Sequence, residues 1–217
     1  MAQVSAPGGN FDWVAPGYDA LSSVVFGQKL RQAQILFIDK IPPGASILIV
    51  GGGTGWLLEQ VLTRCQPGRM LYLETSAGMV NLASRRMVKK ALVGTVEFRV
   101  GDETTLRPDE HFDVLITPFL LDLFTEATLQ SQLIPKLLNA LTKDGLWLVT
   151  DFVCTDIWWQ KALVRTMIQF FRITAGIETS QLVDWQRLLT EAGLTRTQRQ
   201  PQVGGMVSAE VWSRVSQ

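Results

Sequence analysis

The sequence predicts an α/β domain built on a parallel sheet with helices on both faces. Three observations point there. Short apolar runs alternate with helix-length segments along the chain. The first run, ILIV at 47–50, passes directly into glycines at 51, 52, 53 and 55 and then into a helical pattern. That strand–turn–helix order lets backbone come close to a ligand. No repeat, low-complexity tract or linker interrupts the 217 residues, a length that suits one domain.

Taken in order, a helical segment over about 17–40 ends before Pro42-Pro43-Gly44, which cannot continue it. The strand at 47–50 is β-branched or leucine throughout. The following helix, 55–65, is closed by Pro67-Gly68. MLYLE at 70–74 is a second strand, and a helix covers 77–91. Gly94 precedes the third strand, VEFRV at 96–100, and Phe112–Thr117 supplies the fourth. A helix over 126–141 stops near the turn signal Asp144-Gly145, before the strand LWLVTDF at 146–152. An apolar helix at 156–174 and another at 180–192, closed by Gly193, come next. TRTQRQ (195–200) and AEVWSRV (209–215) flank Pro201 and Gly204-Gly205, as in a terminal hairpin. The whole chain, 1–217, reads as one domain with an N-terminal helical cap over about 11–40 and a helical insertion over about 156–175.

Composition excludes several classes. Twenty basic and twenty acidic residues give a net charge of zero, so no global field draws the chain to nucleic acid or an anionic membrane. The densest basic run, Arg85 to Lys90, sits on a helix and reads as a solvated face. Two cysteines and one histidine, without CxxC spacing, build neither a disulfide framework nor a structural zinc site. MAQVSAPGGN has neither the basic start nor the apolar core of a signal peptide. The longest uncharged stretch, 41–58, is interrupted by Pro42-Pro43 and five glycines and does not make a spanning helix, so no stable membrane insertion is expected. The expectation is a cytoplasmic protein.

In an open α/β sheet, ligands lie outside the carboxyl ends of the strands. After strand one comes the glycine loop. After strand two stands Glu74, whose two carboxylate oxygens match the two hydroxyls of a ribose. After strand three come Gly101-Asp102-Glu103, where an acid can accept from an exocyclic adenine amine. After strand four come Thr117, Pro118 and Phe119, then Asp122. Each has a plainer reading: Glu74-Thr75-Ser76 and Gly101-Asp102 also suit helix caps, and Asp122 also suits a turn. Together they describe a pocket for a ribose and an adenine. The loop is GxGxG and lacks the last glycine of the dinucleotide pattern GxGxxG, because position 56 is Trp. That disfavours a nicotinamide-dependent oxidoreductase.

GGGTG at 51–55, LETSAGMV at 73–80, VGDETTL at 100–106, FDVLIT at 112–117 and KDGLWLVTDF at 143–152 resemble the successive motifs of class I S-adenosylmethionine (SAM)-dependent methyltransferases. The resemblance implies a Rossmann-like three-layer sandwich, a mostly parallel seven-stranded sheet with a C-terminal antiparallel hairpin, and SAM as cofactor. By the same resemblance Gly51, Gly52, Gly53, Thr54 and Gly55 line the methionine part. Glu74, with Thr75 beside it, holds the ribose, and Met79 lies against the adenine. Asp102 and Glu103 meet the adenine edge, and Thr117 follows on strand four. The stretch 11–34 is similar to the opening of the ubiquinone/menaquinone-biosynthesis C-methyltransferases, which implies that Tyr18 closes over the cofactor's amino-acid end. The later third of the chain departs from those enzymes. So does Ile49, which stands where the family usually has an acid two residues before the first glycine.

The expected activity is methyl transfer to a small, apolar or aromatic molecule, with a catalytically degenerate SAM-binding protein that acts through a partner as the alternative. A general base has two candidates by position. His111 precedes strand four, at the wrong edge of the sheet, whereas Asp122 follows it and is the catalytic candidate. The helix 156–174 carries Lys161, Arg165, Gln169 and Arg172 on one stripe and apolar side chains over most of its circumference. That surface reads as a lid over an apolar substrate, a homodimer interface, or a contact with the N-terminal helix. A membrane surface is a further reading.

Overall fold

The computed structural model describes residues 28–175 and 179–214. Seven strands form one sheet: β1 (Ser46–Val50), β2 (Arg69–Glu74), β3 (Val96–Val100), β4 (Phe112–Pro118), β5 (Leu141–Phe152), β6 (Leu194–Gln202) and β7 (Val207–Arg214). Their order is β3-β2-β1-β4-β5-β7-β6. The first five are mutually parallel, while β7 runs antiparallel to both β5 and β6. The mostly parallel sheet with a terminal antiparallel hairpin is the architecture the sequence predicts. Strand order reverses between β1 and β4, and crossovers leave the sheet in opposite directions there, so a crevice opens at their carboxyl ends.

The strand period of two divides the core into two layers. Leu48, Val50, Leu71, Leu73, Leu115 and Trp147 face one side, under helices α4 (Ile134–Ala140) and α6 (Trp185–Glu191). Ile47, Ile49, Met70, Tyr72, Val114 and Ile116 face the other, under α2 (Trp56–Arg64) and α3 (Ala77–Lys89). A third cluster joins α1 (Lys29–Gln34) to α5 (Trp158–Ala175) through Leu30, Ala33, Val164, Ile168 and Phe152. The contact between the long apolar helix and the N-terminal helix is therefore present. The basic stripe is present too: Lys161, Arg165, Gln169 and Arg172 are all exposed.

Four elements differ from expectation. The helix expected to reach residue 40 stops at Gln34, where Ile35 N–H turns back to the Gln32 carbonyl at 3.3 Å, tightening the chain into a 3₁₀ turn at Ile38–Lys40. The helix over 126–141 is broken into a turn at Glu126–Thr128, a π-helical stretch at Leu129–Leu133 and then α4. Pro135 explains the break, since it has no N–H to continue the ladder. Strand β5 starts at Leu141 rather than 146, with the register to β4 shifted between Phe112 and Val114. Finally α6 begins at Trp185, because the carboxylate of Asp184 caps it by accepting the Arg187 N–H at 3.1 Å. Residues 11–27 of the N-terminal cap lie outside the described residues.

Candidate functional site

The carboxyl edge of β1 and β2 is built around the glycine loop. Gly51, Gly53 and Gly55 all have positive φ, at +70°, +62° and +79°, values that side chains on L-residues disfavour. Gly52 is needed for space instead: a Cβ there would lie 2.4 Å from the ring of Tyr72. The Gly51 N–H donates to the Leu73 carbonyl at 2.9 Å, extending the β1–β2 ladder by one step. Two side chains of β2 then hold the loop from below. The Tyr72 hydroxyl donates to the Gly53 carbonyl at 2.7 Å. The Glu74 carboxylate accepts from the Gly53 N–H at 3.0 Å and, through its other oxygen, from the Ser76 N–H at 3.1 Å. Arg86 reaches in from α3, donating to the Thr54 carbonyl at 3.1 Å and to Glu59 at 2.8 Å.

Two of these contacts escaped the sequence reading. Tyr72 was legible in principle: it sits two residues before Glu74 on the same strand face, and a buried phenol needs a partner. Arg86 was assigned to a solvated basic face. It instead turns inward, because Glu59 on α2 and the Thr54 carbonyl offer it charge and an acceptor. The other expected residues are distributed around this edge. Thr75 directs its hydroxyl at Glu74, 3.4 Å away. Met79 is buried on the first turn of α3, which is capped by Ser76. Ile49 is fully buried in the apolar layer under α2 and α3, so no acid supports the loop from that position.

At the end of β3, Asp102 caps a short 3₁₀ turn by accepting the Thr104 N–H at 3.0 Å. The plainer cap reading is therefore realised, and it leaves the second carboxylate oxygen for a ligand. Glu103 beside it is buried, and burial raises the pKa of its carboxyl. Thr117 departs from expectation. Its side chain is fully enclosed, and its hydroxyl accepts from the Trp147 indole at 2.9 Å. A buried indole N–H needs an acceptor, and satisfying it turns Thr117 into the core and away from the crevice. Tyr18 lies outside the described residues.

The carboxyl edge of β4 and β5 carries the second half. Phe119 leaves β4 in a left-handed conformation, φ +50°, with its N–H on the Thr150 carbonyl at 2.7 Å. The chain then turns through Leu121–Leu123. Asp151, with no exposed surface, accepts the N–H groups of Leu120 (3.0 Å) and Leu121 (2.7 Å) on one oxygen and that of Phe152 (2.7 Å) on the other. The carboxyl of Asp122 lies close enough to affect the charge of Asp151. The Oδ1 of Asp122 is enclosed and has no partner among the described residues. Two buried carboxyls this close disfavour ionisation of both at once. Burial, first of all, raises Asp122 to about 6. It raises Asp151 well above the ordinary range as well, with the neighbouring Asp122 charge adding to it. Asp151 was missed because strand-end acids were read only as far as strand four. His111 is exposed at the amino end of β4, as expected, far from both halves in the topology.

A sequence model described as "Methyltransferase domain" matches residues 47–145, which covers the loop and the ends of β2, β3 and β4. No match was found among curated proteins. Among solved structures, the mitomycin 7-O-methyltransferase MmcR superposes with a TM-score of 0.71 at 18% identity, over 95% of this chain and 61% of that one. The chain thus spans less than two thirds of that relative. The likeness shows a shared Rossmann-like fold, the one that this O-methyltransferase has. An O-methyltransferase of neocarzinostatin biosynthesis, NcsB1, in complex with SAM and 2-hydroxy-5-methyl naphthoic acid, gives a TM-score of 0.65 at 20% identity, over 94% of this chain and 58% of that one. A DhpI complex with the demethylated cofactor gives 0.62 at 16% identity, over 95% and 94%. The resemblance to quinone C-methyltransferases has no counterpart among these matches. Among the described residues no helix is long and apolar enough to cross a membrane.

Proposed function

We propose that this protein transfers a methyl group from SAM to a small apolar or aromatic molecule. The observation that carries the reading is the clamp on the glycine loop, in which Glu74 holds the Gly53 N–H from the end of β2 while keeping acceptor capacity for a diol. When bound, SAM supplies an electrophilic methyl group on a sulfonium. The chain's own residues do the rest. Gly51 to Gly55 bring backbone against the cofactor's amino-acid portion. Glu74 accepts from ribose hydroxyls. Asp102, with its free oxygen, and the Glu103 backbone meet the adenine edge, and Met79 packs beside them. Thr117, turned to Trp147, is left out of this set. The loop, the clamp and the strand-end acids fit such a ligand, and the methyltransferase fold supports the assignment.

Asp122 is the residue we assign to acid–base work. It lies at the β4 end of the crevice with one oxygen unpaired among the described residues, and it accepts the proton that an acceptor hydroxyl or amine loses as its bond to the methyl carbon forms. A base raised to about 6 is ionised at neutral pH yet basic enough to take that proton. The second reading, a SAM-binding protein without turnover, is favoured by one observation: Ile49 removes the acid that would stand beneath the loop. Calorimetric titration with SAM and methyl transfer to a panel of phenols, quinols and amines test both. Glu74→Ala is expected to weaken SAM binding by roughly 10- to 100-fold, the loss of hydrogen bonds to a charged acceptor. Asp122→Asn is expected to keep SAM affinity and lower turnover by about 10²–10⁴. SAM binding by the native chain without transfer to any of the panel would favour the second reading.

A further inference from the structure

Three consecutive apolar residues at the start of α5 face solvent: Ile157 is 45% exposed, Trp158 79% and Trp159 47%. This is not a general failure to bury tryptophan. Trp147, Trp185 and Trp212 are enclosed, each indole N–H on an oxygen acceptor. Nor is it a frayed helix end. Gln160, almost wholly buried, accepts from the Thr155 hydroxyl and donates to the Gly204 carbonyl at 3.0 Å. The first turn of α5 is thereby pinned to the β6–β7 hairpin, and the tryptophans are displayed from a fixed base. Farther along the helix, Val164 and Ile168 pack inward, so the outward face carries Lys161, Arg165 and Arg172. Among the described residues Asp156 also lies here, paired with Lys161 at 3.3 Å.

The size of the patch helps to identify its occupant. With aromatic side chains of up to about 250 Å² each, the three residues expose roughly 400 Å² of mostly apolar surface. A stable dimer needs about 800 Å² from each partner. A bilayer surface needs less: indoles settle at the level of the headgroups, and flanking lysines and arginines meet anionic lipid. We propose that the face formed by Ile157, Trp158 and Trp159 with Lys161, Arg165 and Arg172 docks this protein on the surface of an anionic bilayer. Docking is by adsorption, and the zero net charge of the chain makes it a local contact that depends on this face. It follows β5 in the chain, at the edge of the sheet where the acid pair lies. The inference stands apart from methyl transfer, since the face is complete without a cofactor.

Co-sedimentation of the full chain with vesicles of phosphatidylcholine alone, and of phosphatidylcholine mixed with phosphatidylglycerol, tests it. The native chain is expected to bind the mixed vesicles at low ionic strength and to be released by salt, which screens exposed charges. Replacing both Trp158 and Trp159 by Ser is expected to lower partitioning by about tenfold or more. Lys161→Glu with Arg165→Glu is expected to abolish the preference for phosphatidylglycerol. All four side chains are exposed, and unchanged melting and SAM titration would show the variants to be intact. The proposal is overturned if the native chain ignores both vesicles or if the tryptophan variant binds as well as the native. It is equally overturned if sedimentation velocity shows a dimer that the tryptophan variant dissolves while vesicles are left alone. Failure of SAM binding would leave this result standing, and the reverse holds too.

Discussion

The two halves of the crevice edge are built on opposite principles. At the ends of β1 and β2, the polar groups that shape the loop are paired: Tyr72 on the Gly53 carbonyl, Glu74 on the Gly53 and Ser76 N–H groups, Arg86 on Thr54 and Glu59. At the ends of β4 and β5, two carboxyls crowd together, one oxygen has no partner among the described residues, and Phe119 holds a left-handed backbone. The first half is ordered by its own hydrogen bonds, which makes the cofactor seat we propose there a preformed one. The second stores unfavourable electrostatics, which fits the proton exchange we propose for Asp122. Satisfied polar groups suit binding, and a strained acid pair suits chemistry.

The sharpest way to break the seat is to fill the one space it depends on. Gly52→Ala would place a Cβ 2.4 Å from the Tyr72 ring, so either the loop or the Tyr72 hydroxyl bond must move. Overpacking of this kind costs about 1–3 kcal/mol, and the loop that moves is the one proposed to meet the cofactor. SAM affinity measured by calorimetry is expected to fall by 100-fold or more, with the melting temperature lowered as well. Retention of near-native affinity would mean that the loop adapts freely and that the seat is not preformed.

The acid pair should reveal itself through pH. A carboxyl whose pKa is raised by folding keeps its proton where the unfolded chain has already lost it. Its contribution is therefore present at low pH and is lost as pH rises through the folded value. For Asp122 that window runs from its ordinary range near 4 up to about 6, and for Asp151 it extends higher. Asp151→Asn removes one of the two charges while its amide oxygen can still accept from Leu120 and Leu121. The native protein is expected to lose stability to urea as pH rises from about 4 through about 6 and beyond. In the variant that difference should shrink by on the order of 1–2 kcal/mol. Parallel pH profiles for the two proteins would show that the pair does not hold a proton.

This difference between the halves also explains what the sequence could reveal. The strand order was not directly readable, but the alternation of elements was, and it led to the parallel sheet and the hairpin. The placement of the glycine loop and of Glu74 at one edge of the sheet was legible because it follows from local spacing, a turn after one strand and an acid after the next. Asp151 was invisible for the opposite reason: its meaning comes from Asp122, far along the chain, and only the neighbouring positions of β4 and β5 bring the two together. Thr117 was misplaced by the same logic, since the Trp147 indole that claims its hydroxyl lies on the adjacent strand. The break at Pro135 was legible in the residue itself, yet the surrounding helical periodicity masked it.

The smallest expected effect lies with Arg86, and it sharpens the idea of a preformed seat. Its guanidinium touches the loop only at the Thr54 carbonyl, while its stronger attachment is to Glu59. That pair is partly open to solvent and shares Glu59 with Lys90 at 3.5 Å, so Lys90 can compensate part of the charge when Arg86 is removed. Arg86→Met keeps the aliphatic stem and deletes both hydrogen bonds. Stability is expected to change by about 1 kcal/mol or less. SAM affinity should fall only several-fold, because Tyr72 and Glu74 still grip Gly53 from β2. A loss as large as that of Gly52→Ala would relocate the seat's rigidity from the strand beneath the loop to the helix beside it.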